Sequence, residues 1–374
     1  MNNIKLVFDI DDTICNNKNR DYENAIPYKN VIDKINKLHK EGAKITLYTS
    51  RGMVSCNGDI EKIIKKNKPI LERWLEKNNV EYDELIFGKP LGDVYVDDKA
   101  INVRDFEKQD FGLLSGHSGY PVIRLGNIVK KEMSDTNYEK LMNWYAESKN
   151  IANSPVLISN LYTTVYMEYI DGENAYNCLN KKLLNKIIDQ ILKFKEVIYK
   201  KFDKNKLFKK LDNHKSEDKE WNLMIDYCKT LIEKIDIEQY ASLSHYDMTL
   251  ANIIVKDNKI YLLDSLLEKD TSSYLLDFAK LKMSLDGYEE KFCGGPHINK
   301  KYSKYLSKKL KKMGILKEVN VLEIMWAIRL YNYNDDKELV KQFVMERMKE
   351  NENRFYFRSR WFISRRTYTN DTGM

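Results

Sequence analysis

The chain has 374 residues, room for two or more domains, and its 63 Lys and Arg against 56 Asp and Glu give a net charge of +7. Both signs are interspersed, so the mild basicity fits anionic metabolites as well as nucleic acid and selects neither. Cys15, Cys56, Cys178, Cys228 and Cys293 are scattered and form no Cys-x-x-Cys pair. That argues against a disulfide framework or a zinc site and for reduced thiols in the cytosol. Met1-Asn-Asn-Ile-Lys runs directly into an apolar segment, so no signal peptide is expected, and no apolar run is long enough to cross a membrane.

Ile4–Thr13 reads Ile-Lys-Leu-Val-Phe-Asp-Ile-Asp-Asp-Thr, an apolar run ending in carboxylates. It is predicted to be a buried parallel strand with Asp9, Asp11 and Asp12 at its end, where ligands of such sheets bind. Adjacent acids repel one another, and the cluster makes sense with Mg2+ present and one carboxylate serving as nucleophile toward phosphorus. Ala43–Ser50 is a second strand-like segment ending in hydroxyls, followed by Arg51-Gly52. Glu84–Gly88 is a third, followed by Lys89-Pro90. Asp93–Asp98 is a fourth, again ending in paired acids. Helical stretches at Tyr28–Lys40 and Ile60–Asn78 alternate with them, which predicts a parallel α/β sheet with all four motif ends on one edge.

These four pieces, in this order, resemble the haloacid dehalogenase (HAD) superfamily of phosphatases over roughly the first hundred residues, close to a small domain. The resemblance implies that Asp9 attacks phosphorus and that Asp11 protonates the leaving alcohol and then activates water. It also implies that Thr49 and Lys89 hold the phosphoryl group. Mg2+ would be held by Asp9, the backbone of Asp11, Asp97 and Asp98. Tyr48-Thr-Ser-Arg-Gly-Met, Gly88-Lys-Pro and Tyr95-Val-Asp-Asp-Lys-Ala look most like small phosphatases found with capsule or surface-polysaccharide genes. There is no room for a large cap, so an open site is expected.

The remaining two-thirds needs a second core, joined closely around Val103–Gly112. Ser115-Gly-His-Ser-Gly119 is a glycine-bearing turn followed by a strand at Pro121–Leu125. Asn127–Lys131 is a strand with two lysines, Thr136–Ser148 a helix with Glu139 near its start, and Val165–Ile170 a further strand. Ser244–Asn252 reads Ser-His-Tyr-Asp-Met-Thr-Leu-Ala-Asn. An apolar hairpin follows whose second strand ends at Asp264. An Asp and an Asn five apart in a loop, with another Asp after the hairpin, is the layout of kinase-like phosphoryl transfer.

This part is similar to the aminoglycoside phosphotransferase and choline kinase family over roughly residues 110–340, which implies a two-lobed, protein-kinase-like α+β domain. The resemblance implies Asp247 as catalytic base and Asn252 and Asp264 as Mg2+ ligands. Lys131, or Lys130 in the other register, would be the nucleotide lysine and Glu139 its ion-pair partner. Ser115, Gly116, Ser118 and Gly119 would cover the phosphates, and Met167, Glu168 and Ile170 would meet adenine. His245 is expected to orient the loop, and Asp277 matches a structural acid. Two departures are Tyr246, where Gly is usual, and Ser265, where an aromatic, Pro or Gly is common. The expected division is 1–108 for the phosphatase-like domain and 109–374 for the kinase-like one, with lobes at about 109–172 and 173–374. The tail alternates Arg354, Arg358, Arg360, Arg365 and Arg366 with aromatics. It is expected to pack its rings and leave its arginines in water.

The combined expectation is a bifunctional Mg2+-dependent phosphatase and ATP-dependent small-molecule kinase. It would prepare a sugar or amino-alcohol phosphate for capsule or lipopolysaccharide synthesis. Two alternatives stand. One is an active phosphatase with a non-catalytic nucleotide-binding module, favoured by Tyr246. The other is nucleic-acid end processing, against which stands the absence of a Gly-x4-Gly-Lys-Ser/Thr loop.

Overall fold

The computed structural model describes residues 4–17, 21–92, 95, 97, 99–108, 110–114 and 120–351. The expected nucleotide-loop residues Ser115, Gly116, Ser118 and Gly119, the acid Asp98 and the arginine-rich tail lie outside the described residues. Contacts divide the chain into two units, residues 1–133 with 156–169, and residues 134–155 with 170–374.

In the first unit the strands Lys5–Phe8, Lys44–Thr49 and Glu84–Phe87 form a parallel sheet with Lys44–Thr49 in the centre. Its alternation buries Ile45, Leu47 and Thr49 and leaves the positions between them half covered or exposed. Helices Lys29–Lys40 and Ile60–Lys77 cross between the strands. The second begins where Asp59 accepts from Lys62 N at 3.1 Å. It buries Ile63, Leu71, Trp74 and Leu75 along one stripe. Phe8, Ile10, Ile35, Ile45, Leu47, Ile63 and Leu71 belong to one core. The fourth expected segment, Asp93–Asp98, is described only at Tyr95 and Asp97, and neither is in a strand.

The same unit holds a five-stranded antiparallel sheet ordered Phe111–Leu114, Val122–Leu125, Ile128–Glu132, Thr164–Glu168, Leu157–Leu161. The contacts therefore group this sheet with the N-terminal sheet, where the motifs suggested a division at 108/109. The physical reason is a shared core: Phe106 packs edge-on against Phe8 and tilted against Phe111, both at 5.1 Å between ring centroids, and Ile123 and Leu125 join them.

The second unit is mainly helical. Its exception is a hairpin, Ile253–Lys256 with Lys259–Leu262, edged by Glu173–Asn174. Asp257 and Asn258 both take positive φ at the turn, the conformation a two-residue hairpin requires. The helix Tyr274–Met283 is buried at every position, including Asp277, Lys280 and Lys282. Its two lysines are paired with carboxylates, Lys280 with Asp247 at 3.2 Å, while Asp277 accepts three hydrogen bonds. Lys282 bridges Asp286 at 2.8 Å and Glu323 at 2.7 Å, and Arg347 Nε meets Glu323 at 3.0 Å. Ionic groups persist at such depth only when paired this way. No described helix is long and apolar enough to cross a membrane.

Candidate active sites

Asp9 and Asp11 follow the first strand, and Thr49 and Arg51 the central one. Thr49 is fully buried and accepts from Arg51 N at 3.1 Å, so its hydroxyl keeps its own proton to donate. Its carbonyl takes Lys89 N at 3.1 Å, which brings the end of the third strand alongside. Lys89 Nζ lies 3.2 Å from Asp9 Oδ1 and 4.1 Å above the Tyr95 ring. Burial pushes the Asp9 carboxyl above the usual carboxylate range, and Lys89 opposes this.

Arg51 was not singled out from sequence, although it stands in Thr-Ser-Arg-Gly. Its guanidinium grips Asp11 as a fork, with Nη2 to Oδ1 at 2.8 Å and Nε to Oδ2 at 2.9 Å. Arg51 is 2% exposed. It stacks 4.5 Å over the Tyr22 ring and touches Cys15 Sγ at 3.5 Å. Gly52 makes the turn possible, since it sits at φ +85° and a Cβ there would meet Asn67 Nδ2 at 2.6 Å.

Asp97 is exposed and accepts from its own Lys99 N at 2.7 Å. Among the described residues no three His, Cys, Asp or Glu side chains converge on one point. The donors available at the strand end, the Asp9 carboxylate and the Asp11 backbone oxygen, are hard oxygens that fit Mg2+. The expected contribution of Asp97 is not brought to them.

In the second unit the fully buried Asp277 organises the loop before the hairpin. Its carboxylate accepts from Ser244 Oγ at 2.9 Å and from His245 N and Tyr246 N at 2.8 Å each. Burial nevertheless pushes its carboxyl up to about 7. His245 packs edge-on against Trp144 at 5.0 Å, and burial lowers its imidazole to about 4. It is therefore a neutral buried ring at pH 7.

Asp247 has both oxygens engaged: Oδ2 accepts from Asn252 Nδ2 at 2.9 Å and Oδ1 lies 3.2 Å from Lys280 Nζ. Leu263 N bonds the Asn252 carbonyl at 2.9 Å, which ties the loop to the hairpin strand preceding Asp264. With its nitrogen given to Asp247, the Asn252 amide offers its oxygen. That oxygen and the Asp264 carboxylate are again hard donors of the kind Mg2+ takes. Asp264 is held at φ +58°, a left-handed conformation rare outside glycine and common at functional sites.

Both departures have local explanations. Ser265 Oγ donates to the His245 carbonyl at 2.9 Å, fastening the segment after Asp264 to the loop. Tyr246 occupies φ +71°, which is why glycine is the easier residue there. Its phenol bonds Thr271 Oγ1 at 2.6 Å and Lys210 Nζ at 2.7 Å, and its ring packs edge-on against Trp326 at 5.4 Å. Lys210 and Lys140 in turn both pair with Glu268, at 2.5 and 2.7 Å.

Glu139 is exposed on the helix Asp135–Ser148, one residue from Lys140. In the first unit Lys131 shares the buried face of its strand with Val129, and Lys130, on the other face, pairs with Glu132 at 2.8 Å. Met167 is buried within the five-stranded sheet, and Glu168 accepts from Val156 N at 3.3 Å. Ile170 is buried in the second unit.

No family model matches the chain, and none of the curated proteins matches it. Solved structures do. A Vibrio cholerae structural-genomics target is 34% identical over 29% of this chain and 89% of its own length, with a TM-score of 0.28. A choline/ethanolamine kinase family protein from Mesorhizobium loti is 12% identical over 65% of this chain and 86% of its own, with a TM-score of 0.45. An aminoglycoside phosphotransferase solved with ADP is 18% identical over 64% of this chain and 92% of its own, with a TM-score of 0.43.

Proposed function

We propose that the second unit transfers a phosphoryl group from ATP to a small-molecule hydroxyl, with Asp247 as the base. The observation that carries this reading is the Asp247 carboxylate itself. It is fixed through one oxygen by Asn252 five residues on and through the other by Lys280, in a loop continuous with the hairpin that ends at Asp264. Such transfer is catalysed almost entirely by positioning and electrostatics, and a carboxylate fixed from two sides is suited to orient an acceptor hydroxyl and take its proton.

A second reading concerns the first unit, and the Asp9–Lys89 and Asp11–Arg51 pairs at the sheet edge favour it. There Asp9 attacks phosphorus to form an aspartyl-phosphate. Asp11 gives a proton to the leaving alcohol and later takes one from water. Thr49 and Lys89 hold the phosphoryl oxygens. At both sites bound Mg2+ supplies neutralisation of phosphoryl charge, and the residues that would hold it are Asn252 and Asp264 in the second unit and Asp9 with the Asp11 backbone in the first. One chain that removes a phosphoryl group at one position and adds one at another suits the preparation of a sugar building block for capsule or lipopolysaccharide. The test is Mg2+-dependent transfer from ATP to a panel of sugars and amino alcohols by the full chain, alongside hydrolysis of sugar phosphates. ATP binding without transfer to any acceptor would instead fit a non-catalytic nucleotide-binding module.

A further inference from the structure

Leu250–Asn252 is a single tight turn, and the amide at its start has no carbonyl one turn back to bond. Thr249 stands where a hydroxyl ordinarily caps such a donor, yet its side chain makes no cap bond. Leu250 N instead reaches Ser284 Oγ at 3.0 Å and Glu289 Oε1 at 3.1 Å, side chains 34 and 39 positions on. The Ser284 hydroxyl donates to the same Glu289 oxygen, so the three groups close a triangle. Ser284 and Glu289 are both fully buried.

Residues five apart on an α-helix point about 140° from one another and do not meet at one atom. Ser284–Tyr288, which follows the buried helix Tyr274–Met283, winds as a wider π-turn and breaks at Gly287, with φ +101°. That winding brings Ser284 and Glu289 together, and such turns are rare and concentrate at functional sites. The Glu289 carbonyl is pinned in turn by Cys293 N at 3.0 Å and Gly295 N at 2.9 Å. One helix and its terminal turn thus hold the loop at three places. Asp277 takes His245 N and Tyr246 N, Lys280 meets Asp247, and Ser284 with Glu289 takes Leu250 N.

We infer that Glu289, together with Ser284, is a positioning residue for phosphoryl transfer. By holding Leu250 N it sets the turn so that Asn252 fixes the Asp247 carboxylate and keeps its own oxygen free for Mg2+. The Asn252 amide donates to Asp247 Oδ2 at 2.9 Å and to the Asp247 carbonyl at 3.0 Å, and Leu250 lies between the two residues. A turn released at Leu250 rolls about its ends and carries Asn252 with it. The inference rests on the transfer reading and adds to it a residue that touches none of the reacting atoms.

The experiment compares the full chain with Glu289→Ala, Glu289→Gln and Ser284→Ala. Transfer from radiolabelled ATP to glucose, glucosamine, choline and ethanolamine is measured over a Mg2+ series, and deuterium exchange is followed at residues 247–252 without nucleotide. Glu289→Ala should lower kcat by about 10²-fold, the scale of a misplaced catalytic group, and raise the Mg2+ concentration for half-maximal rate. Exchange at the Leu250 amide should quicken about tenfold, the weight of one hydrogen bond, while the helix 274–283 stays protected. Glu289→Gln keeps an acceptor oxygen and should restore all three readings. A merely loosened fold scales kcat with the folded fraction and leaves the Mg2+ midpoint in place. An unmoved midpoint or unmoved exchange in Glu289→Ala therefore overturns the inference, as does a Glu289→Gln variant that behaves like Glu289→Ala. If Glu289→Ala does not fold, Ser284→Ala decides: its kcat should fall about tenfold, and wild-type kcat and exchange overturn the inference. If the wild type phosphorylates nothing, the transfer reading falls by itself. Protection at Leu250 that is lost in Glu289→Ala and restored in Glu289→Gln then still supports the clamp, and unaltered protection overturns it too.

Discussion

Arg51 holds Asp11 through two parallel hydrogen bonds, Nη2 to Oδ1 at 2.8 Å and Nε to Oδ2 at 2.9 Å, from a position almost fully shielded from water. A guanidinium fork fixes a carboxylate in position and in plane, which a lysine point charge cannot do. In the phosphatase reading this makes Arg51 the residue that aims Asp11, while Lys89 compensates the half-buried Asp9. Arg51→Lys should therefore lower Mg2+-dependent hydrolysis of a sugar phosphate by about 10²-fold, the scale of a misplaced catalytic group. Circular dichroism should remain native. Unchanged hydrolysis would remove Arg51 from the positioning role.

Asp9→Asn should abolish hydrolysis and leave ATP-dependent transfer intact, because the second unit has its own carboxylates. Both rates are measured on one preparation. Retained hydrolysis would exclude Asp9 as nucleophile, and loss of both activities would show that the two units depend on one another.

Much of this was legible in the chain. Three of the strand-end motifs of the first unit show an apolar run closing on a polar residue, and Asp9, Thr49 and Lys89 do stand at or just beyond neighbouring strands of the sheet. The Asp247–Asn252–Asp264 order was equally readable, because loop and hairpin are local. What escaped was long-range. Lys280 lies 33 positions from Asp247 and reads as one more helix lysine. Its signal was its place three residues after Asp277 in a largely apolar helix, which puts the two on one face. The grouping of the five-stranded sheet with the first unit also escaped, because the aromatic contacts of Phe106 depend on tertiary packing rather than on periodicity.

The Tyr246 network gives a stability prediction. Tyr246→Phe keeps the ring against Trp326 but leaves the half-buried Lys210 and the buried Thr271 without the phenol, at a cost of about 1–3 kcal/mol. Urea denaturation measures it. No change in midpoint would mean that Lys210 and Thr271 find other partners.

The buried ion network around Glu323 should be more sensitive. Glu323→Gln leaves Lys282 and Arg347 facing each other with one carboxylate fewer, and breaking such a pair costs about 3–5 kcal/mol. A thermal melt of the second unit's transition that is unchanged by this substitution would contradict the assigned pairing.

His245 supplies a pH dependence. Its imidazole is lowered to about 4 in the folded chain from an ordinary 6.5. The unfolded chain therefore takes up a proton first as pH falls. The stability this neutral ring confers is complete above pH 6.5 and is lost progressively down to about 4. His245→Phe keeps the packing on Trp144 and removes the titration. Between pH 7 and 4.5 the wild type should lose roughly 2 kcal/mol relative to this variant, at 1.36 kcal/mol per pKa unit. Parallel pH profiles of the two proteins would contradict a buried neutral His245.

The most direct test of the account is Asp247→Ala. Phosphoryl transfer to the accepted substrate should fall by several orders of magnitude, about 10³-fold or more, since orientation of the acceptor is the main source of rate. ATP–Mg2+ affinity by calorimetry should stay within a few-fold of wild type, whereas Asp264→Ala should weaken it. Transfer that survives Asp247→Ala, with nucleotide binding intact, would contradict Asp247 as the base.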